Sequence, residues 1–387
     1  MNEESNKIKR LIFATGPWQI IIALSAMRQE STSSSLSYED HLFLYFYRIP
    51  DETKQIMLQI ANLLGDWKSI IQINEAFLDT ALIEVNQTSF LQYSNNIKKI
   101  INIDKINEIW ICLMAGKLEK LLIESYLEAD IVIYEDGLCM YAKEIGYNRF
   151  LDKNYISMAR KLKHESINFI RRKSNNIYIY NNTGLVNKHV DRLTKAYLFL
   201  SKMLHYPDYL KKASIKQINN DSIEDSIMTI NRNNKFFQAL DKNKYSEPMV
   251  LVLSQCFSKW HRMSWDEELS IYKQALKTII QHGLTPLWKE HPRADRPFLK
   301  SLLEENLDIQ PIELNIHFSW PVELLIHRIN ILSCVSISSS SLFYIKELFN
   351  IPTYTLADEL IFSKLSKHDT EIAKLASKEI PPFRTMF

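Results

Sequence analysis

The chain has 387 residues, 46% hydrophobic and 24% charged, with 47 basic against 45 acidic side chains and a net charge of +2. That length calls for two domains of roughly 150–200 residues each, and so ordinary a composition excludes disorder, collagen and coiled coil as the main state. Seven glycines leave little material for glycine-rich phosphate loops, and the near-neutral balance gives no sign of a nucleic-acid partner. Lys9–Ala14 (KRLIFA) is predicted to be a buried strand, and Thr15-Gly16-Pro17 turns the chain into a helix over Trp18–Arg28. His41–Tyr47 is a second strand, Asp51–Leu64 a helix and Trp67–Ile73 a further apolar run. Glu108–Met114 is a strand, Lys117–Tyr126 an amphipathic helix, and Asp130–Tyr134 a strand running into Glu135-Asp136-Gly137. Alternation of this kind argues for a parallel sheet with crossover helices.

The middle of the chain has another character. Ser157–Lys173 is basic, Asn175–Asn182 holds a short IYIY strand, and Asn219–Lys244 is polar enough to suggest loops. The alternating pattern then returns with a strand at Met249–Leu253. Ser264 and Glu267 form a capping box for a helix to about Gln281, which Gly283 ends. Leu284–Lys289 is a strand leading to His291-Pro292, Phe298–Glu305 is helical and Pro321–His327 is a short helix. Asn330–Ile337 is a strand followed by Ser338–Ser341, Leu342–Phe349 a helix, Pro352–Leu356 the last strand, and Ala357–Ser377 a helix stopped by Pro381-Pro382. The expected organisation is an α/β domain over 1–185, an irregular connection over 186–245 and a second α/β domain over 246–387, its last helix returning to the first domain. Ligands in such folds bind at the carboxyl ends of the strands, and two facing domains would place the best site in the cleft separating them.

Neither end of the reading suggests export. The apolar run Leu11–Leu24 is broken by Thr15-Gly16-Pro17, which is not the order of a secretory signal, and no window reaches the 18–20 apolar residues of a membrane span. Cys112, Cys139, Cys256 and Cys334 are far apart without a CxxC pair, as expected of buried, reduced thiols in a cytoplasmic protein.

Four segments stand at predicted strand ends. Thr15-Gly16-Pro17-Trp18-Gln19 taken alone is a turn with proline near the first helical position. Glu135 and Asp136 are either solvated edge charges or, partly desolvated, a proton acceptor with a raised pKa, aimed by a turn at Gly137. His291 in Lys289-Glu290-His291-Pro292-Arg293 can donate to an anionic leaving group, with Lys289 and Arg293 as phosphate partners, or it can be structural. Ser338–Ser341 puts hydroxyls and backbone N–H groups at a helix start, which suits phosphate, although one serine suffices for capping. The chain has no Asp-x-Asp pair, GxGxxG, Walker A sequence or HExxH, which argues against metal-dependent glycosyltransferases of that motif, dinucleotide enzymes, P-loop ATPases and common zinc hydrolases.

In this order the segments resemble those of the bacterial sialyltransferases, and most of all the capsule polysialyltransferase family. Glu135-Asp136-Gly137 matches its acid-acid-glycine motif, His291-Pro292 its histidine-proline motif and Ser339–Ser341 its serine motif, while Pro17 and Gln19 match a Pro-x-Gln element of related enzymes. The likeness spans about residues 10 to 360. It implies a GT-B fold of two Rossmann-like domains and inverting transfer of sialic acid from CMP-sialic acid, with no cofactor and no essential metal. It further implies Glu135 as general base with Asp136 beside it, and His291 as donor to the leaving phosphate. Gly16, Gln19, Lys289, Pro292, Ser339, Ser340 and Ser341 then bind the donor. A polysialic acid acceptor would need a basic track, for which Arg160, Lys161, Lys163, Arg171, Arg172 and Lys173 are the candidates, unless they form a solvated helix face. The product would be capsular polysialic acid, α2,8- and/or α2,9-linked, made by a cytoplasmic enzyme peripheral to the inner membrane face, alongside other capsule-assembly proteins. A transferase adding one sugar to lipooligosaccharide or to a capsule repeat unit could carry the same motifs. So could a non-catalytic sugar-nucleotide-binding protein.

Overall fold

Leu11–Ala14 are fully buried in sequence-consecutive positions, as in a strand covered on both faces. The computed structural model describes residues 7–46, 49–74, 87–112, 117–141, 189–206, 208–238, 246–260, 263–292, 298–304, 311–314, 319–365 and 367–387. These fall into two compact units. The first comprises residues 1–49, 64–136 and 143–223, and the second 50–63, 137–142 and 224–387.

The first unit is built on seven parallel strands: β1 (Ile8–Ala14), β2 (Tyr38–Phe46), β3 (Ser69–Asn74), β4 (Glu108–Ile111), β5 (Asp130–Tyr134), β6 (Leu193–Leu198) and β7 (Ser214–Gln217). Their order is β3-β2-β1-β4-β5-β6-β7. The order reverses where β1 meets β4, with Ile12 opposite Trp110, so the carboxyl ends of these strands mark the place where doubly wound sheets bind ligands. Tyr134, fully buried, donates its hydroxyl to the Phe13 carbonyl at 2.5 Å and ties the end of β5 to β1.

The second unit is a five-stranded parallel sheet: β8 (Met249–Leu253), β9 (Thr285–Lys289), β10 (Ile312–Glu313), β11 (Ile331–Ser336) and β12 (Thr353–Thr355), in the order β10-β9-β8-β11-β12. Its core gathers Val250, Val252, Tyr272, Trp288, Phe298 and Val335, with the Trp265 ring stacked on Phe298 at 4.2 Å. The capping box is present in full. Ser264 Oγ accepts the Glu267 N–H, and the Glu267 side chain accepts the Ser264 N–H.

Three expectations need correction. Residues 186–245 are not an irregular connection, because β6 and β7 complete the first sheet there. Lys195, within β6, donates to Glu30 Oε1 at 2.6 Å and Glu108 Oε1 at 2.8 Å. Within the polar stretch after it, Asn220–Asn233 is a helix whose Ile223, Ile227 and Ile230 are fully buried. The chain end forms two helices rather than one, Glu359–Lys364 and Lys367–Glu379, and buries Leu365 and Ala373 in the core of the second unit. Residues 50–63 also belong to that unit, where Thr53 Oγ1 bonds Ser319 Oγ at 2.5 Å. The basic segment and the IYIY strand lie outside the described residues. Cys112, Cys256 and Cys334 are buried free thiols. Among the described residues, no helix is long and apolar enough to cross a membrane.

Candidate active site

In the first unit the carboxyl end of β5 delivers two carboxylates into different surroundings. Glu135 is completely buried, and its Oε2 accepts the N–H of Phe199 at 2.7 Å and of Leu200 at 2.8 Å. It thereby caps the short turn that follows β6, and the side chain expected to act as base is committed to the fold. Asp136 is the partly exposed member of the pair. Its Oδ1 accepts the Gln19 Nε2–H at 2.5 Å. Gln19 is itself held, because its Oε1 accepts the Thr15 N–H at 2.7 Å and the Thr15 hydroxyl at 3.1 Å. Pro17 opens the Pro17–Ser33 helix, whose first turn therefore aims Gln19 at Asp136. The structure ties Gln19, expected at the donor, to the acid motif. Gly16 is extended, at φ −154°, with open space where a Cβ would stand, so nothing there demands a glycine.

The second unit assembles its groups at the ends of β8, β9 and β11. His291 is partly exposed after β9. Its backbone N–H donates to Ser254 Oγ at 2.8 Å, and its Nδ1 lies 3.3 Å from Cys256 Sγ. Ser254 in turn donates to Glu290 Oε2 at 2.8 Å, and Glu290 Oε1 accepts the Leu299 N–H at 2.9 Å. Burial raises the Glu290 pKa. Pro292 follows, partly exposed, and Arg293 lies outside the described residues. Lys289, expected at the donor, is buried. Burial brings its pKa down from 10.5 to about 8, against the attraction of Glu323 and Glu290.

The serine motif also differs in detail from the expectation of open amides. The N–H groups of Ser341, Leu342 and Phe343 already reach Ser339 Oγ, Ser339 O and Ser340 O. Ser341 donates its hydroxyl to the buried Glu323, whose pKa burial raises. Ser339 and Ser340 remain partly exposed. Ser340 Oγ accepts the Leu138 N–H at 3.0 Å, and a hydroxyl that accepts still has a proton to give. Gly137 makes this approach feasible: it sits at φ +80°, and a Cβ there would lie 2.6 Å from Ser340 Oγ. Its glycine thus serves both backbone conformation and close contact. What this segment offers an anion is hydroxyls and the dipole of the Ser341–Phe349 helix rather than unspent amides.

Sequence reading missed Ser254, Cys256 and Glu323. Ser254-Gln255-Cys256 directly follows β8, and its strand-end position was the available signal. Glu323 lay in a segment read only as a short helix; it sits in one of two short 3₁₀ turns.

The alpha-2,8-polysialyltransferase family profile matches residues 10–358. The chain belongs to the alpha-2,8-polysialyltransferase family. As a member it is a glycosyltransferase of the sialyltransferase type. No curated protein matches it in sequence. Among solved structures it is similar to the MnaA–UDP complex of S. aureus, at 12% identity and TM-score 0.50, over 98% of this chain and 89% of that one. UGT2 of Phytolacca americana, complexed with UDP-2-fluoro-glucose and pterostilbene, is 10% identical at TM-score 0.50, over 96% and 84%. The 2,6-sialyltransferase of Photobacterium sp. JT-ISH-224, in a ternary complex with CMP and lactose, is 13% identical at TM-score 0.47, over 96% and 76%. The fold of this polysialyltransferase-family chain is GT-B, with two Rossmann-like α/β units.

Proposed function

We propose that the protein transfers sialic acid from CMP-sialic acid, with inversion, to the non-reducing end of a sialylated oligosaccharide, and repeats the step to build polysialic acid in α2,8 and/or α2,9 linkage. The observation that carries the chemical assignment is the contrast at the end of β5: a locked Glu135 beside a partly exposed Asp136 oriented by Gln19. We therefore assign the base to Asp136 and give Glu135 a positioning role.

In this reading Asp136 accepts the proton of the acceptor hydroxyl as its oxygen attacks C2 of the sugar, whose transition state has oxocarbenium character. His291 gives a proton to the departing phosphate oxygen. The Ser339 and Ser340 hydroxyls, at the N-terminal end of the Ser341–Phe349 helix, stabilise the charge growing on the phosphate. Lys289 and Glu323 are both buried in the same unit and attract each other electrostatically. We assign no step to a metal, so excess chelator should leave the transfer rate unchanged; a rate lost to chelator and restored by a divalent cation would overturn that part. The acceptor track over Arg160–Lys173 rests on sequence alone.

The base assignment is tested by replacing each acid separately. D136N should lower kcat by about 10²–10⁴-fold while CMP still binds in calorimetry. E135Q should keep measurable transfer. A D136N enzyme of normal kcat beside a dead, folded E135Q enzyme would reverse the two roles.

A further inference from the structure

The catalytic nitrogen of His291 is chosen by what occupies the other one. An imidazole has two inequivalent nitrogens, and the hydrogen bond made by one decides how the other is presented. Here Nδ1 faces Cys256 Sγ at 3.3 Å. This thiol is not on a loose loop. Gln255 N–H donates to the fully buried Tyr272 hydroxyl at 2.7 Å. The N–H groups of Phe257 and Ser258 donate to the two oxygens of the fully buried Glu268 at 3.2 and 2.8 Å. Cys256 therefore sits between two anchored neighbours and is itself 7% exposed. Ser254, the residue directly after β8, holds the His291 backbone, because its Oγ accepts the His291 N–H at 2.8 Å. Backbone and ring of His291 are thus both held from one short segment, Ser254–Cys256.

We propose that Cys256 is a positioning residue for the transfer reaction: its sulfur engages Nδ1 of His291 and so leaves Nε2 as the edge that delivers the proton. This rests on the reading of His291 as the proton donor. In the step itself the C2–O bond to phosphate breaks, Nε2 passes its proton to that oxygen, the imidazolium becomes neutral imidazole, and solvent restores the proton afterwards. The thiol keeps its own proton throughout and undergoes no covalent change. A thiol suits the position because it can engage Nδ1 without the negative charge of a carboxylate, which would hold the ring proton more tightly.

The test is a double-mutant cycle on the full-length enzyme, with CMP-sialic acid and a trisialylated acceptor. C256A should lower kcat by about 10-fold while the donor KM stays within about twofold. C256S, whose hydroxyl can also engage Nδ1, should recover most of the loss. In an H291Q background C256A should cost nothing further, because a residue acting through His291 has no effect once the imidazole is gone. A C256A loss that persists undiminished in H291Q would show general damage to the fold and overturn the proposal, as would normal kcat in C256A or no recovery in C256S. If H291Q is slow and C256A is normal, Cys256 alone loses its role. If H291Q itself transfers at the wild-type rate, the acid assignment falls and takes the proposal with it.

Discussion

Glu135 and Asp136 are neighbours in the chain with different surroundings, and the difference is set by hydrogen bonding rather than by residue type. A carboxylate accepting two buried amides is strongly held in place, since bonds to charged groups contribute about 1.5–3 kcal/mol each. E135A should therefore lower the thermal midpoint by several degrees, while D136N, at a partly exposed position, should leave the midpoint nearly unchanged; calorimetric melting of both variants checks this. Lys289 offers a pH test. Its pKa falls from 10.5 unfolded to about 8 folded, so from pH 8 to 10.5 the unfolded chain binds more protons and stability rises with pH. K289M should lack that rise in denaturant titrations at the two ends of the window. An identical slope in K289M would show that Lys289 is not the group responsible. From sequence, Glu135 was the expected base with Asp136 beside it and Lys289 was expected at the donor, because no local pattern reports which side chain the tertiary fold buries.

At the scale of elements, the acid-acid-glycine turn depends on one backbone conformation. Gly137 at φ +80° lies against Ser340, so G137A pays twice, in strain and in displacement of the serine hydroxyl. It should reduce stability by about 1–3 kcal/mol and raise the donor KM; an alanine variant with normal KM would separate Gly137 from the phosphate end of the site. Elements whose signal is local were legible in sequence. The Ser264 capping box forms as expected, and Asp51–Leu64, Asp130–Tyr134 and Met249–Leu253 have the expected bounds. What escaped was decided at long range. β6 carries Lys195, whose partners Glu30 and Glu108 lie 165 and 87 residues away in the chain. The Asn220–Asn233 helix hides three buried isoleucines among polar neighbours. The serine motif was found by composition, but the spending of its amides on local acceptors became evident only in three dimensions.

For the whole molecule, alternating strands and helices indicated two α/β halves, and the chain indeed forms two parallel sheets. The division of the chain is more interleaved than the sequence suggested, since 50–63 and 137–142 belong with the C-terminal unit. Contiguous sequence cannot report such exchanges; they are decided by which unit buries a segment's apolar face. The family match covers 10–358, a stretch with residues in both units. Elongation of sialic acid polymers by this chain is the proposed activity from which the other assignments follow. The direct test is to incubate the purified protein with CMP-sialic acid and a fluorescent trisialylated acceptor, then size the products by chromatography at low and high salt. The account predicts a ladder of lengthening products that shrinks as salt screens the anionic acceptor, and no ladder from D136N. A single added sugar at every salt concentration would contradict polymerisation, and an acceptor left unchanged would contradict the proposed donor and acceptor together.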